Sequence, residues 1–291
     1  LRRQRQMCIR DSYNGDVDII GNTVTGNLAT TEDEEAFGPG SGGGGLWLYT
    51  SATIENNTIS GNTSQYHAAG AYFYYGSPDI LNNTVEDNYA WEDGAGVYLN
   101  YPSSALIEGN TINNNEAADD AGGLRIYVGS NTRVEGNTIT NNTAGDDGGG
   151  AKFSHSEHYF IDNIVEYNEA GDAGGGFELD NDSTHTEGNT FSGNIANRGG
   201  GVHNWRTEAT FEIIDNTFID NIAHDCGGGI QFDNNPYWVT LTNLWFEGNE
   251  ADDGAAFCTD MIYRDPEDVG GLEDYYPVSY THLRAHETDT D

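Results

Sequence analysis

The sequence predicts an all-β chain wound as a single parallel β-helix of about nine coils of 26–27 residues. Three observations predict it. The final Asn of an Asn-Thr motif recurs at Asn27, Asn62, Asn88, Asn115, Asn142, Asn168, Asn194, Asn221 and Asn249, at spacings of 35, 26, 27, 27, 26, 26, 27 and 28. Three residues before each stands Val24, Ile59, Val85, Ile112, Ile139, Val165, Phe191, Phe218 or Phe246. After each comes a triplet of small residues: 43–45, 68–70, 94–96, 121–123, 148–150, 174–176, 199–201, 227–229 and 254–256. A repeat of this length is one structural unit, and it buries its apolar side only by stacking on its neighbours.

Each element follows from the period. Helical repeats need apolar residues at i, i+3, i+4 and i+7, whereas alternation here is twofold, with Asn-Gly and Gly-Gly as punctuation. About 26 residues suits three short strands of about four to five residues, each residue rising about 3.3 Å, joined by tight turns. Asn and Gly mark the turns because positive φ is tolerated there, and Asn side chains of successive coils can hydrogen-bond along the stack. The Val, Ile and Phe column supplies the core. An apolar–x–apolar strand follows many triplets, as in Val97/Leu99, Leu124/Ile126, Ala151/Phe153, Phe177/Leu179 and Ile230/Phe232. The preference for right-handed crossovers sets the hand.

The helix is expected over residues 13–260, with 261–277 opening a cap, linker or further segment. An insertion at 30–42 lengthens the first interval and reads as a surface loop. Met7-Cys8-Ile9-Arg10-Asp11 and Val278-Ser279-Tyr280-Thr281-His282 can be encoded by reverse-complementary codons, ATG TGT ATA AGA GAC and GTC TCT TAT ACA CAT. Residues 1–12 and 278–291 therefore read as translated sequencing adapter, and the remainder as part of a larger chain.

Net charge is −37, and five of the eleven basic residues lie in those two ends. Such a surface excludes nucleic acid and anionic membrane as partners, since both require clustered cations. It suits a salty habitat, where ions screen self-repulsion. No run of about 18 apolar residues exists, so this segment is not expected to insert in a membrane. Cys226 and Cys258 sit at different positions in the period, five offsets apart and one coil away. A bridge needs Cα atoms within about 7 Å, so the spacing predicts free thiols.

"FSGN" (191–194), "FIDN" (218–221) and "FEGN" (246–249), with "GGGI" (227–230) and "GGLRI" (122–126), resemble the repeats of chlamydial polymorphic outer-membrane proteins. More broadly, residues 17–257 resemble the right-handed β-helices shared by adhesin passengers and pectin-lyase-like enzymes. The resemblance implies a secreted or cell-surface location, with outer-membrane association open. It implies a stalk or adhesin-like module, or alternatively a polysaccharide lyase or glycoside hydrolase acting on acidic polysaccharide on the outer face of one sheet. The Gly-His-Gly, Arg-x-Lys and Asp-His signatures of those enzymes are absent.

Stacking converts offsets into columns, so candidate sites lie along columns. Residues before many of the triplets form an acidic column in which Asp119, Asp120, Asp146 and Asp147 are candidate Ca²⁺ ligands, Ca²⁺ taking six to eight oxygens; the third functional reading is a Ca²⁺- or salt-stabilised spacer. A bare acidic edge is the competing reading, because Asp also favours turns. Trp47, Tyr72, Tyr98, Arg125, Lys152, Glu178, His203 and Gln231 alternate with inward apolar residues and are expected to face solvent. Two residues further on run Tyr49, Tyr74, Asn100, Tyr127, Ser154, Asp180, Trp205 and Asp233. Trp47, Tyr49, Tyr72, Tyr74, Tyr98, Arg125, Tyr127 and Lys152 are candidate glycan contacts, because aromatic faces stack on sugars and cations pair with uronates. Sheet stabilisation by cross-strand aromatics competes with that reading. Lys152, Glu178, Asp180 and His203 are candidate catalytic residues, Glu178 and Asp180 as acid and base. His155 and His158 lack a third ligand at convincing spacing and read as no metal site.

Overall fold

The computed structural model describes residues 17–30, 42–155, 157–206, 211–234 and 239–260, together with two short strands, Ser279–Thr281 and Arg284–Ala285. The expected segments 1–12 and 261–277 and most of the 30–42 insertion lie outside the described residues. So does 278–291, apart from the two short strands, which extend two sheets.

Among the described residues every strand pairs in parallel with its counterpart one coil away, giving four sheets of ten, ten, eight and nine strands. A representative coil runs through Ser130–Glu135 in sheet I, Thr138–Thr140 in sheet II, Thr143–Ala144 in sheet III and Ala151–Ser154 in sheet IV. The expected three strands per coil are thus four. The reason is local: most coils carry two Asn bends, each a residue at positive φ followed by an Asn whose side chain is buried in all but the terminal coils. In this coil the pairs are Gly136–Asn137 and Asn141–Asn142, with φ of 61° at Gly136 and 54° at Asn141. The second bend splits a two-residue strand from its predecessor.

The buried Asn residues form two ladders. In the first, the Asn137 backbone N–H and side-chain Nδ2 both donate to Asn163 Oδ1, at 2.9 and 3.0 Å, and Nδ2 also donates to the Ile107 carbonyl. Asn142 repeats this with Asn168 Oδ1 and the Ile112 carbonyl in the second. Each side chain therefore satisfies backbone groups that a bend leaves without a strand partner. The second ladder runs from Asn27 to Asn249; the first ends where Leu244 stands beside Asn216. The triplet's last residue packs directly on this ladder: a Cβ at Gly150 would lie 2.4 Å from the Gly176 carbonyl oxygen and 3.0 Å from Asn168 Nδ2.

Inside the coil, the expected apolar column stacks as read. Val24 pairs with Ile59, then Val85, Ile112, Ile139, Val165, Phe191, Phe218 and Phe246 follow in register. Phe191, Phe218 and Phe246 stack face to face at 5.1 and 5.0 Å between centroids. Leu99, Ile126, Phe153 and Leu179 of sheet IV complete one continuous core.

Replacing Asn142 by Leu should leave the Asn115 N–H and Nδ2 without their acceptor and lower stability by about 1–3 kcal/mol per orphaned group. Replacing neighbouring Asn141, exposed at positive φ, by Gly should change it by less than about 0.5 kcal/mol. Urea or thermal denaturation of both variants checks the contrast.

Candidate functional site: a charged seam under an aromatic ridge

The outer face of sheet IV is not open to solvent as expected. Tyr72, Tyr98, Arg125, Lys152, Glu178, His203 and Gln231 are buried, and Trp47 is half-buried. The cause is the turn before the small triplet. After sheet III the chain folds back across sheet IV, and the triplet's first residue packs on the strand it precedes. A Cβ on Gly148, at φ 70°, would lie 2.6 Å from Lys152 Cβ, and one on Gly174 would lie 2.8 Å from Glu178 Cβ. His67, Asp93, Asp120, Asp147, Ala173, Arg198, Cys226 and Asp253, each just before a triplet, form a column over the strand.

The two columns meet as a buried, charged seam. Lys152 Nζ lies 2.8 Å from Asp120 Oδ2 and 2.7 Å from Asp147 Oδ2, and Arg125 Nη1 lies 3.2 Å from Asp120 Oδ2. Further along, His203 Nδ1 is 2.7 Å from Glu178 Oε2 and Nε2 is 3.0 Å from Asp233 Oδ2. Only an imidazolium donates from both nitrogens. Burial alone would lower the His203 pKa, but Glu178 and Asp233 outweigh it and push it up to about 9. Burial raises Glu178, with His203 opposing. Arg198 reaches Asp172 at 2.6 Å and Asp233 at 3.3 Å.

Of the expected catalytic set, Lys152, Glu178 and His203 are therefore sealed in ion pairs, and only Asp180 is partly exposed. Of the expected Ca²⁺ ligands, Asp119 and Asp146 face outward while Asp120 and Asp147 turn onto Lys152. Carboxylate oxygens of Asp119, Asp120 and Asp146 lie within 4.8 Å of one another, as do those of Asp146, Asp147 and Asp172. The Lys152 ammonium already supplies positive charge to both sets. His155 and His158 do not converge: His155 is exposed, while His158 is buried edge-on to Phe153, and burial lowers its pKa to about 4.

Cys226 and Cys258 are joined by a disulfide, with Cα atoms 5.9 Å apart, which corrects the expectation of free thiols. Cys226 belongs to the turn column and Cys258 to the strand column, where it pairs with Gln231. Their separation of 32 residues equals that of Asp120 and Lys152. The offset that seemed to forbid a bridge is the one that the fold-back brings together.

Beside the seam, at the corner between sheets IV and I, an aromatic ridge stays at the surface. Tyr49 and Tyr75 are 51% and 43% exposed, and Tyr74, Tyr101 and Tyr127 are half-buried. Ring centroids are 5.4 Å apart for Tyr49–Tyr74, 4.5 Å for Tyr74–Tyr75, 5.3 Å for stacked Tyr75–Tyr101, 6.1 Å for Tyr101–Tyr127 and 5.7 Å for Tyr127–His155. Buried Arg125 supports it, its Cζ 5.7 Å from the Tyr127 ring. Three of the expected glycan contacts, Tyr49, Tyr74 and Tyr127, are thus on the ridge. Tyr72, Tyr98, Arg125 and Lys152 lie beneath the fold-back. Tyr75, Tyr101 and His155 were missed.

The missed residues share a conformation. Tyr75, Tyr101 and His155 have φ of 61°, 56° and 62°; Asn181 and Asn234, at the same corner one and three coils beyond His155, have 53° and 52°. Asn accepts this region readily, whereas other side chains strain at roughly 1–2 kcal/mol. Strain held in place by a surrounding scaffold concentrates at functional positions. The sequence signal was the Tyr-Tyr and Asn-Tyr pairs at the strand's end, which fall one residue past the twofold alternation.

A coil-by-coil rod with a covered face of this kind is a parallel β-solenoid repeat protein. The family described as "right handed beta helix region" matches residues 7–163, more than half of the 291 residues, and the chain belongs to that family. No significant match exists among curated proteins or among solved structures.

Two outcomes test the seam. Lys152→Met would leave the partly exposed Asp120 and Asp147 facing an apolar side chain and should cost up to about 3 kcal/mol, the low end for an orphaned buried charge. Arg133→Ala removes an exposed pair with Glu135 and should cost less than about 1 kcal/mol. Chemical denaturation compares them. The second outcome concerns pH. Because the folded-state pKa of His203 lies above its ordinary 6.5, its contribution is complete below pH 6.5 and is lost as pH rises towards about 9. Denaturation midpoints should fall across that window at fixed ionic strength, and His203→Gln should flatten the decline.

Proposed function

We propose that this chain is a segment of a secreted or surface-displayed β-helix module that binds glycans along the corner between sheets IV and I. The observation that carries the reading is the continuous file of tyrosines at the surface over four successive coils, Tyr49 and Tyr75 exposed and Tyr74, Tyr101 and Tyr127 half-buried. Tyrosine offers a flat face for a sugar ring and a hydroxyl for its polar rim. The file is held by strained backbone on a rigid support, which limits the ordering cost of binding. The disulfide supports an extracytoplasmic location, since such bonds persist in oxidising compartments.

Burial of Lys152, Glu178 and His203 favours a binding module over the enzyme reading. Lys152 and His203 meet carboxylates of their own chain, and Glu178 meets the His203 imidazolium, rather than a polysaccharide. In this reading the acidic flank keeps a long rod soluble and apart from its neighbours. A rod built of right-handed β-helix coils fits a stalk or passenger role.

Affinity electrophoresis through gels containing soluble polysaccharides tests the proposal. Tyr75→Ala and Tyr101→Ala should each weaken binding about tenfold, roughly 1.4 kcal/mol. Tyr167→Ala, at the exposed corner between sheets II and III, should leave it unchanged. Equal retardation of all three variants would reject the ridge.

A further inference from the structure

The chemistry of the ridge restricts its ligand further, and the restriction rests on the glycan reading just given. Three of the chain's few cations, Arg125, Lys152 and Arg198, are consumed in the seam, where each faces a carboxylate. Arg133, on the neighbouring sheet I, pairs with Glu135. Arg206 is exposed at the ridge corner, but it belongs to the coil of Val202–Trp205, three coils beyond that of Tyr127. From Tyr49 to Tyr127 the described ridge therefore presents no exposed Lys or Arg.

A polyanionic chain laid there would gain no ion pair. It would also meet the field of a molecule with net charge −37. The coil that follows His155 along the same corner adds a partly exposed carboxylate, Asp180. The chemistry offered is ring faces and phenolic hydroxyls, with His155 closing the file. An uncharged, hydroxyl-rich ligand satisfies both.

Direction follows from stacking. Tyr49, the Tyr74–Tyr75 pair, Tyr101 and Tyr127 belong to successive coils about 4.8 Å apart, so four coils extend the file roughly 15 Å along the solenoid axis. We propose that the ridge takes an uncharged linear polysaccharide lying along that axis, and that it discriminates against uronate-bearing chains.

The test uses the full chain in gels carrying a soluble β-glucan, a galactomannan, polygalacturonate or alginate. The expected result is retardation by at least one neutral polymer, little changed by added salt, and none by either polyuronate. Val128→Arg supplies a gain-of-function arm. Val128 occupies the ridge corner at φ 44°, in the column where Arg206 shows that arginine fits at φ 61°. That variant should acquire salt-sensitive retardation by polygalacturonate. Retardation of the unsubstituted chain by a polyuronate equal to or stronger than by the neutral polymers would overturn the selectivity while leaving the ridge as a glycan site. Retardation by none of the four would overturn the site and the selectivity together.

Discussion

One constraint underlies every other feature: the backbone of each coil must lie in register over the next. Parallel pairing sets that register along the strands, but at the bends there is no strand to pair. The two Asn ladders extend it through the corners, each side chain accepting from one coil and donating to another. Because the ladders fix the corners, the glycine that closes most triplets, such as Gly123, Gly150 or Gly176, can approach Asn Nδ2 closely, and the fold-back begins from a defined point. Loss of register at a corner would move the core column, the charged seam and the ridge together.

Register also explains how an acidic chain tolerates charges out of water. A buried ion pair is seldom a net gain against an apolar alternative, because desolvation offsets attraction. Here the seam alternates: Asp120 and Asp147 bracket Lys152, and Glu178 and Asp233 bracket His203. Lys152, His203 and Arg198 each touch carboxylates from two coils, so the pairs contribute specificity of stacking. The seam also holds three of the scarce cations where they cannot attract anionic partners, which shapes the outer surface by subtraction.

The core was legible in the sequence because periodicity states which residues share a column. Ile112, Ile139 and Val165 could be stacked from spacing alone, and Asn142 could be assigned to a ladder. The Asn137 ladder was present in the same motif, five residues earlier, but a single period count does not separate two ladders from one. Periodicity does not state what covers a column. The residues from Tyr72 to Gln231 alternate with core positions and so read as outward. They are buried because the chain returns over them, which depends on positive φ at residues such as Gly148 and Gly174. A signal existed: acids five residues before cations, as in Asp120 and Arg125 or Asp147 and Lys152, pointed to pairing. The ridge residues Tyr75 and Tyr101 escaped notice because bulky side chains rarely occupy the left-handed region.

The disulfide occupies the geometric place that Asp120 and Lys152 fill elsewhere, so it is a covalent version of a recurring contact between adjacent coils. Under tension along the rod, parallel strands in a solenoid separate by peeling one turn from the next. A sulfur bridge across one such boundary converts that boundary from the easiest to part into the last, and places it towards the C-terminal end of the described rod. Peeling that reaches this boundary from its C-terminal side would therefore be arrested there, leaving the tyrosine-bearing turns wound.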